Sequence, residues 1–215
     1  MYAAWSEREM AVTKLDVRAG SPPSAIVLIQ RSCRIGTLMN MTTFWYEWEN
    51  WFTSVEETHT SLPALSLYRS TVPEYNWVIA AGTVLDSAAL INSAIDIPHD
   101  PQADLCIRAG YLMLRRICSF FGIHYNEFPS VDDPISISRE EFEDALDDLA
   151  EAGVPIKADR DEAWQNFKGW RVNYDSVLMA MCNIVMAPYA PWSSDRSHLH
   201  RQVSRIPSFF MSREN

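Results

Sequence analysis

The sequence predicts an all-α fold, a single domain of about seven helices packed as an orthogonal or irregular bundle. Three observations predict it. Apolar residues recur at three- and four-residue steps along most of the chain. Only seven glycines occur in 215 residues, and Gly and Pro gather at a few joints, which favours long helices over many short strands. No alternating apolar–polar segment of useful length and no internal repeat is present. At 47% hydrophobic, with eight Trp, nine Phe and eight Tyr, the chain can bury a core without disulfides or metals.

Helix one covers Tyr2 to Val17. Gly20-Ser21-Pro22-Pro23 stops it and starts the next, with Ser21 as cap and Pro22 at the first helical position. Helix two carries Ile26, Leu28, Ile29 and Cys33 and ends near Gly36. Asn40 is the expected cap of helix three, whose stripe is Phe44, Trp48, Trp51, Phe52, Val55 and His59, with Glu47, Glu49 and Glu56 largely off it. Pro63 and Pro73 bracket a short irregular or helical piece holding Leu65, Leu67 and Arg69. Helix four, from about Glu74 to Ala94, is rich in Ala and Gly, which permits close helix approach; on it Asp86 shares a face with Ile79, Gly82, Thr83 and Leu90.

Pro98 and Pro101 break the chain before helix five, which runs to Phe121 and Gly122. Its wet stripe reads Asp104, Arg108, Arg115 and Ser119, while Arg116 falls beside Ala109 and Leu112 on a drier face. A proline-bearing loop follows, from Ile123 to Ile137. Helix six opens on the capping box Ser138-Arg139-Glu140-Glu141, buries Phe142, Ala145, Leu146 and Leu149, and ends at Gly153 before Pro155. Asp159 caps helix seven, with one stripe from Ala163 through Trp164, Phe167, Trp170, Tyr174, Val177 and Leu178 to Met181. Residues 1–195 are expected to form the domain, and 196–215 a mobile tail.

The net charge of −10 excludes a basic nucleic-acid stripe and argues against an anionic membrane surface. The tail, with Arg196, Arg201, Arg205 and Arg213 around Phe209, Phe210 and Met211, has the composition of a lipid contact, a reading that a frayed terminus outweighs. Cys33, Cys106, Cys118 and Cys182 stand far apart with no CxxC, as reduced cysteines of a cytosolic protein do. The opening residues carry Glu7, Glu9 and Asp16 and no apolar block, so no signal peptide is expected. The longest apolar run, Trp77 to Ile91, is interrupted by Thr83, Asp86 and Ser87 and falls short of the roughly 20 residues a membrane span needs.

No Gly-x-Ser-x-Gly, Walker loop or Gly-x-Gly-x-x-Gly occurs, so the chain is read as no enzyme and without a cofactor. What stands out is charge among core residues: Glu57, His59, Arg69, Asp86 and Arg116 are the candidates for a ligand site or an internal polar core, since a buried charge must be paired. The bland reading, a hydrogen-bonded knot that fixes helix register, outweighs the ligand pocket, and the same holds for Arg171 and Asn173. Glu56 and His59 form a Glu-x-x-His step, as in di-metal bundles, but no second copy exists. An all-helical metal-dependent enzyme using Glu56, His59 and Asp86 is the alternative. His99-Asp100 sits between prolines, His198 and His200 lie in the tail, and the acidic face of helix six lacks the pattern of a calcium loop.

Two segments together carry a resemblance: Leu15-Asp16-x-Arg18-x-Gly20 through Ser24, and Glu57-x-His59-x-Ser61-x-Pro63-x-Leu65 followed by Tyr68-Arg69-Ser70, Trp77 and Leu85-Asp86-x-x-Ala89-Leu90. Gly169-Trp170-Arg171-Val172-Asn173-Tyr174 and Ala190-Pro191-Trp192-Ser193-Ser194-Asp195-Arg196 add to it. These resemble the cytosolic region that follows the pore in bacterial two-pore-domain-like potassium channel (ion channel) family proteins. The chain departs from that family in having no pore helices and no Thr-x-Gly-Tyr-Gly filter. The resemblance implies a cytoplasmic regulatory or assembly domain, at the inner face of the membrane if it is part of a channel. Its implied partners are itself or a channel pore domain; the identity of any small-molecule ligand stays open.

Overall fold

In the computed structural model, which describes residues 2–196, one apolar helix is enclosed by the others. The order is α1 (Tyr2–Ala19), α2 (Ala25–Arg34), α3 (Thr42–Ser61), α4 (Trp77–Ala94), α5 (Pro101–Phe120), α6 (Arg139–Glu151), α7 (Arg160–Arg171) and α8 (Asp175–Ile184), with short 3-10 turns at Pro63–Leu67 and Ser194–Arg196. The described residues are all-α and share one hydrophobic core, as predicted. The expected tail lies outside them, except for Arg196, which belongs to the second 3-10 turn and pairs with Glu141 and Asp195.

Helix α4 touches α1, α2, α5, α7 and α8. Of its eighteen residues only Asn92 is not buried. By length and composition it could cross a membrane, which corrects the expectation that no helix here qualifies, yet it is wrapped by its own chain instead. Burial on every side explains why its sequence is apolar all round rather than striped. Its start is sharper than the sequence suggests: the Asn76 side chain accepts from the amides of Val78 and Ile79. Its end is pinned by an isolated antiparallel bridge between Ile95 and Ile156.

Other termini follow local rules. Asp100 caps α5 with Pro101 at the first position, and Asp159 caps α7. The Ser138–Glu141 capping box is complete in both directions. Two caps differ from expectation: α2 begins after Ser24 rather than Ser21, and α3 after Met41 rather than Asn40, and neither cap makes a side-chain bond.

The single long helix seven is in fact two. The Asn173 side-chain amide donates to the carbonyls of Gly169 and Trp170, so it satisfies the end of α7. The chain then turns, and α8 starts at Asp175. The apolar stripe runs through the break because both helices face the same core, which is why periodicity alone reads them as one.

Helix α3 lies along α5, and the contact closes at Gly110. A Cβ there would stand 2.6 Å from Leu85 Cδ2 and 2.9 Å from Phe52 Cε2. Both neighbours are fully buried, and Phe52 is locked edge-on against Trp51. Gly110→Ala is therefore expected to destabilise. Overpacking costs about 1–3 kcal/mol and the helix-propensity gain returns about 1 kcal/mol. A net loss of up to about 2 kcal/mol should appear as a lower urea midpoint at unchanged slope. A raised midpoint would mean that the two side chains give way freely.

Candidate functional site

Three polar features stand out: two buried ion networks and one cleft. The first network joins α4 to the α7–α8 turn. Arg171, fully buried, donates from Nη1 to Asp86 Oδ1 at 2.6 Å and from Nε to Asp175 Oδ1 at 2.7 Å. Its Nη2 donates to the Trp192 carbonyl at 2.8 Å. Tyr174 donates its hydroxyl to Asp86 Oδ1 at 2.9 Å. Ser136, in the loop before α6, donates its amide and hydroxyl to the two oxygens of Asp175. Burial pushes the Asp86 carboxyl up, against the pull of Arg171 and Tyr174. Burial also opposes the charge on Arg171, but Asp86 and Asp175 together hold its pKa above the ordinary arginine value. The guanidinium is thus a fixed cation satisfied by carboxylates and a carbonyl, a geometry that clamps four chain segments together.

The second network joins α1 to the end of α3 and the 3-10 turn after it. Arg8 donates to the carbonyls of Leu65 at 2.8 Å and Tyr68 at 2.7 Å, to Glu9 Oε1 at 2.8 Å, and to His59 Nε2 at 3.0 Å. An arginine can only donate, so His59 Nε2 must accept. The proton of the neutral ring then sits on Nδ1, 3.0 Å from Thr58 Oγ1. Burial first, and the Arg8 charge second, lower the His59 pKa to about 4. The Trp77 ring closes the site, 5.3 Å from the His59 ring centroid and 5.7 Å from the Arg8 guanidinium carbon.

The five sequence candidates therefore do not form one core. His59 and Asp86 are buried, in different networks. Glu57 and Arg69 are exposed. Arg116 is also exposed and pairs with Glu56 across the α3–α5 contact. The expectation for α5 is inverted: Arg115, assigned to the wet stripe, is buried, and Arg116 is not. The reason is the loop after α5. It folds back and, with the α7–α8 turn, covers Arg115, and nothing local in the sequence announces that. Arg8 is not among the sequence candidates, since the partners of its side chain other than Glu9 lie more than fifty residues away.

The Glu-x-x-His step does not converge either. Glu56 turns to Arg116, His59 to Arg8 and Asp86 to Arg171. Among the described residues no three His, Cys, Asp or Glu side chains gather where a metal ion could sit. The four cysteines are free; Cys106, Cys118 and Cys182 are buried, with burial raising each thiol pKa, so none of these three is poised as a thiolate.

The cleft, about 580 Å³, lies between α5 and the loop after it. Arg115 forms its floor, with the guanidinium between the rings of Tyr111 and Tyr125 at 4.8 and 5.6 Å. Arg115 also donates to the Asn173 carbonyl at 2.9 Å and to its side-chain oxygen at 3.3 Å. Asn173 stands between Arg171 and Tyr174 in the chain, so the cleft floor and the Asp86 network share the α7–α8 turn. Compared with protein-family models, with curated proteins and with solved structures, the chain matches none.

Proposed function

We propose that this chain is a non-enzymatic helical module of the regulatory or assembly kind, like the cytosolic region that follows the pore in bacterial potassium channel family proteins. One observation supports the reading best. The segments that carry the resemblance lie far apart in the chain, yet they supply the members of one buried network: Asp86 from one, Arg171 and Tyr174 from a second, and the Trp192 carbonyl from a third. Motif residues spent on holding helices in register suit a module whose task is a defined shape more than a reaction. The buried acid, base and cation that would serve chemistry are each occupied by protein partners. In this reading the module works in the cytoplasm against the membrane's inner face, and its partner is a pore or a second copy of itself.

The test uses the purified chain and the pore segment of a channel of that family, expressed without its own cytosolic region. Co-elution of the two in detergent, or self-association of the chain in sedimentation velocity, is the expected result. A monomer that elutes apart from the pore would overturn the proposal.

A further inference from the structure

Most arginines that the fold draws inward find a carboxylate. Arg8 has Glu9, and Arg171 has Asp86 and Asp175. In the shallow depression beside α6 and α7, Arg139 and Arg160 are tied to Glu143, Asp147 and Asp161. Among the buried arginines, Arg115 is the exception. It is 8% exposed, and among the described residues no carboxylate oxygen lies within 4 Å of it. Three of its five N–H groups go to neutral oxygens, those of Asn173 and the Glu127 carbonyl, which leaves two unassigned. Glu127 is the one carboxylate that acts on it, and does so from beyond that distance; a buried cation without a paired counter-charge is costly, and the usual remedy is an anion.

The surroundings say what kind of anion. Arg115 lies at the bottom of a cleft of about 580 Å³, within the ~300–1,000 Å³ typical of small-molecule sites. Arg108, two helical turns back and also without an ion-pair partner among the described residues, stands at the same cleft. Aromatic rings complete the walls: Tyr111, Tyr125, and Phe128, which is 87% exposed at the rim. A large ring held in water beside two arginines is a ready stacking surface for another flat ring. Glu127 is the acidic member of the lining.

We propose that this cleft binds a small organic anion carrying a planar ring, of the nucleoside monophosphate class, with its charged group toward Arg115 and Arg108 and its ring on the tyrosines and Phe128. The proposal stands apart from the channel-like reading, since it needs only the cleft. It does add a consequence. A ligand on Arg115 bears on Asn173, and so on the turn that carries Arg171 and Tyr174.

The test is isothermal titration of the whole chain with AMP, with adenosine and inorganic phosphate as controls that each lack one half of the ligand. AMP is expected to bind with a Kd between about 10 μM and 1 mM, and each control at least about tenfold more weakly. Arg108→Gln, a surface change that leaves the fold intact, should weaken AMP about tenfold. Glu127→Gln should tighten it a few-fold by removing a like charge, which a merely structural role would not do. Absence of AMP binding, or binding indifferent to both substitutions, would overturn the site. Phosphate binding as tightly as AMP would overturn the assignment of the ring.

Discussion

Arg171→Met is expected to destabilise the protein by about 3–5 kcal/mol, the usual cost of removing one partner from a buried ion network. The substitution keeps most of the apolar volume, so it does not act through a cavity. It acts through what it strands. Asp86 keeps only the Tyr174 hydroxyl, Asp175 keeps only Ser136, and the Trp192 carbonyl keeps no donor from Arg171. The Asp86 carboxyl, already pushed up by burial, loses the cation that pulls against that shift. A loss of this size is a large part of the ~5–15 kcal/mol that holds a domain together, so urea titration should show a much lower midpoint. Adding Asp86→Leu to the Arg171→Met chain is expected to restore part of the stability, because it removes one stranded charge and fills its place with apolar volume. A double-mutant cycle measures the coupling. If Arg171→Met alone leaves the midpoint unchanged, the network holds nothing.

The same residues show how far the sequence reaches. Asp86 could be found because a charge on an all-apolar helix has nowhere else to go. Its partner could be suspected, since Arg171 sits beside an apolar stripe. That the two meet could not be read, because the meeting depends on where α7 ends. That end is fixed by one side chain, Asn173, bonding back to Gly169 and Trp170. Helix periodicity carries no trace of such a bond. On α5 the margin was a single residue. Adjacent positions on a helix point about 100° apart, so whichever arginine meets the loop after α5 becomes the buried one, and the loop's path is not a local property. Local signals survived where local physics decides: the Ser138–Glu141 box, the cap at Asp159, and the stripe of α3.

Arg8→Met is the second change expected to cost about 3–5 kcal/mol, and it carries a pH signature that a simple packing defect would lack. The variant leaves the Leu65 and Tyr68 carbonyls, Glu9 and His59 Nε2 without their shared donor. In the native chain His59 has a pKa of about 4, against an ordinary value of 6.5. Between those values the unfolded chain binds a proton that the folded chain refuses. Stability is therefore full above about pH 6.5 and falls as the pH drops toward 4, at up to about 1.4 kcal/mol per pH unit, or about 3 kcal/mol across the window. Part of that depression comes from the Arg8 charge. Arg8→Met should accordingly be less stable at pH 7 and yet lose stability less steeply between pH 6.5 and 4. His59→Gln separates the two effects. Its side-chain oxygen can still accept from Arg8, but it does not titrate, so it should flatten the acid slope while costing less at pH 7. Urea midpoints measured from pH 7.5 to 4 for the three chains decide the matter. If Arg8→Met keeps the native slope, the arginine charge has no part in holding His59 neutral, and burial alone accounts for its low pKa.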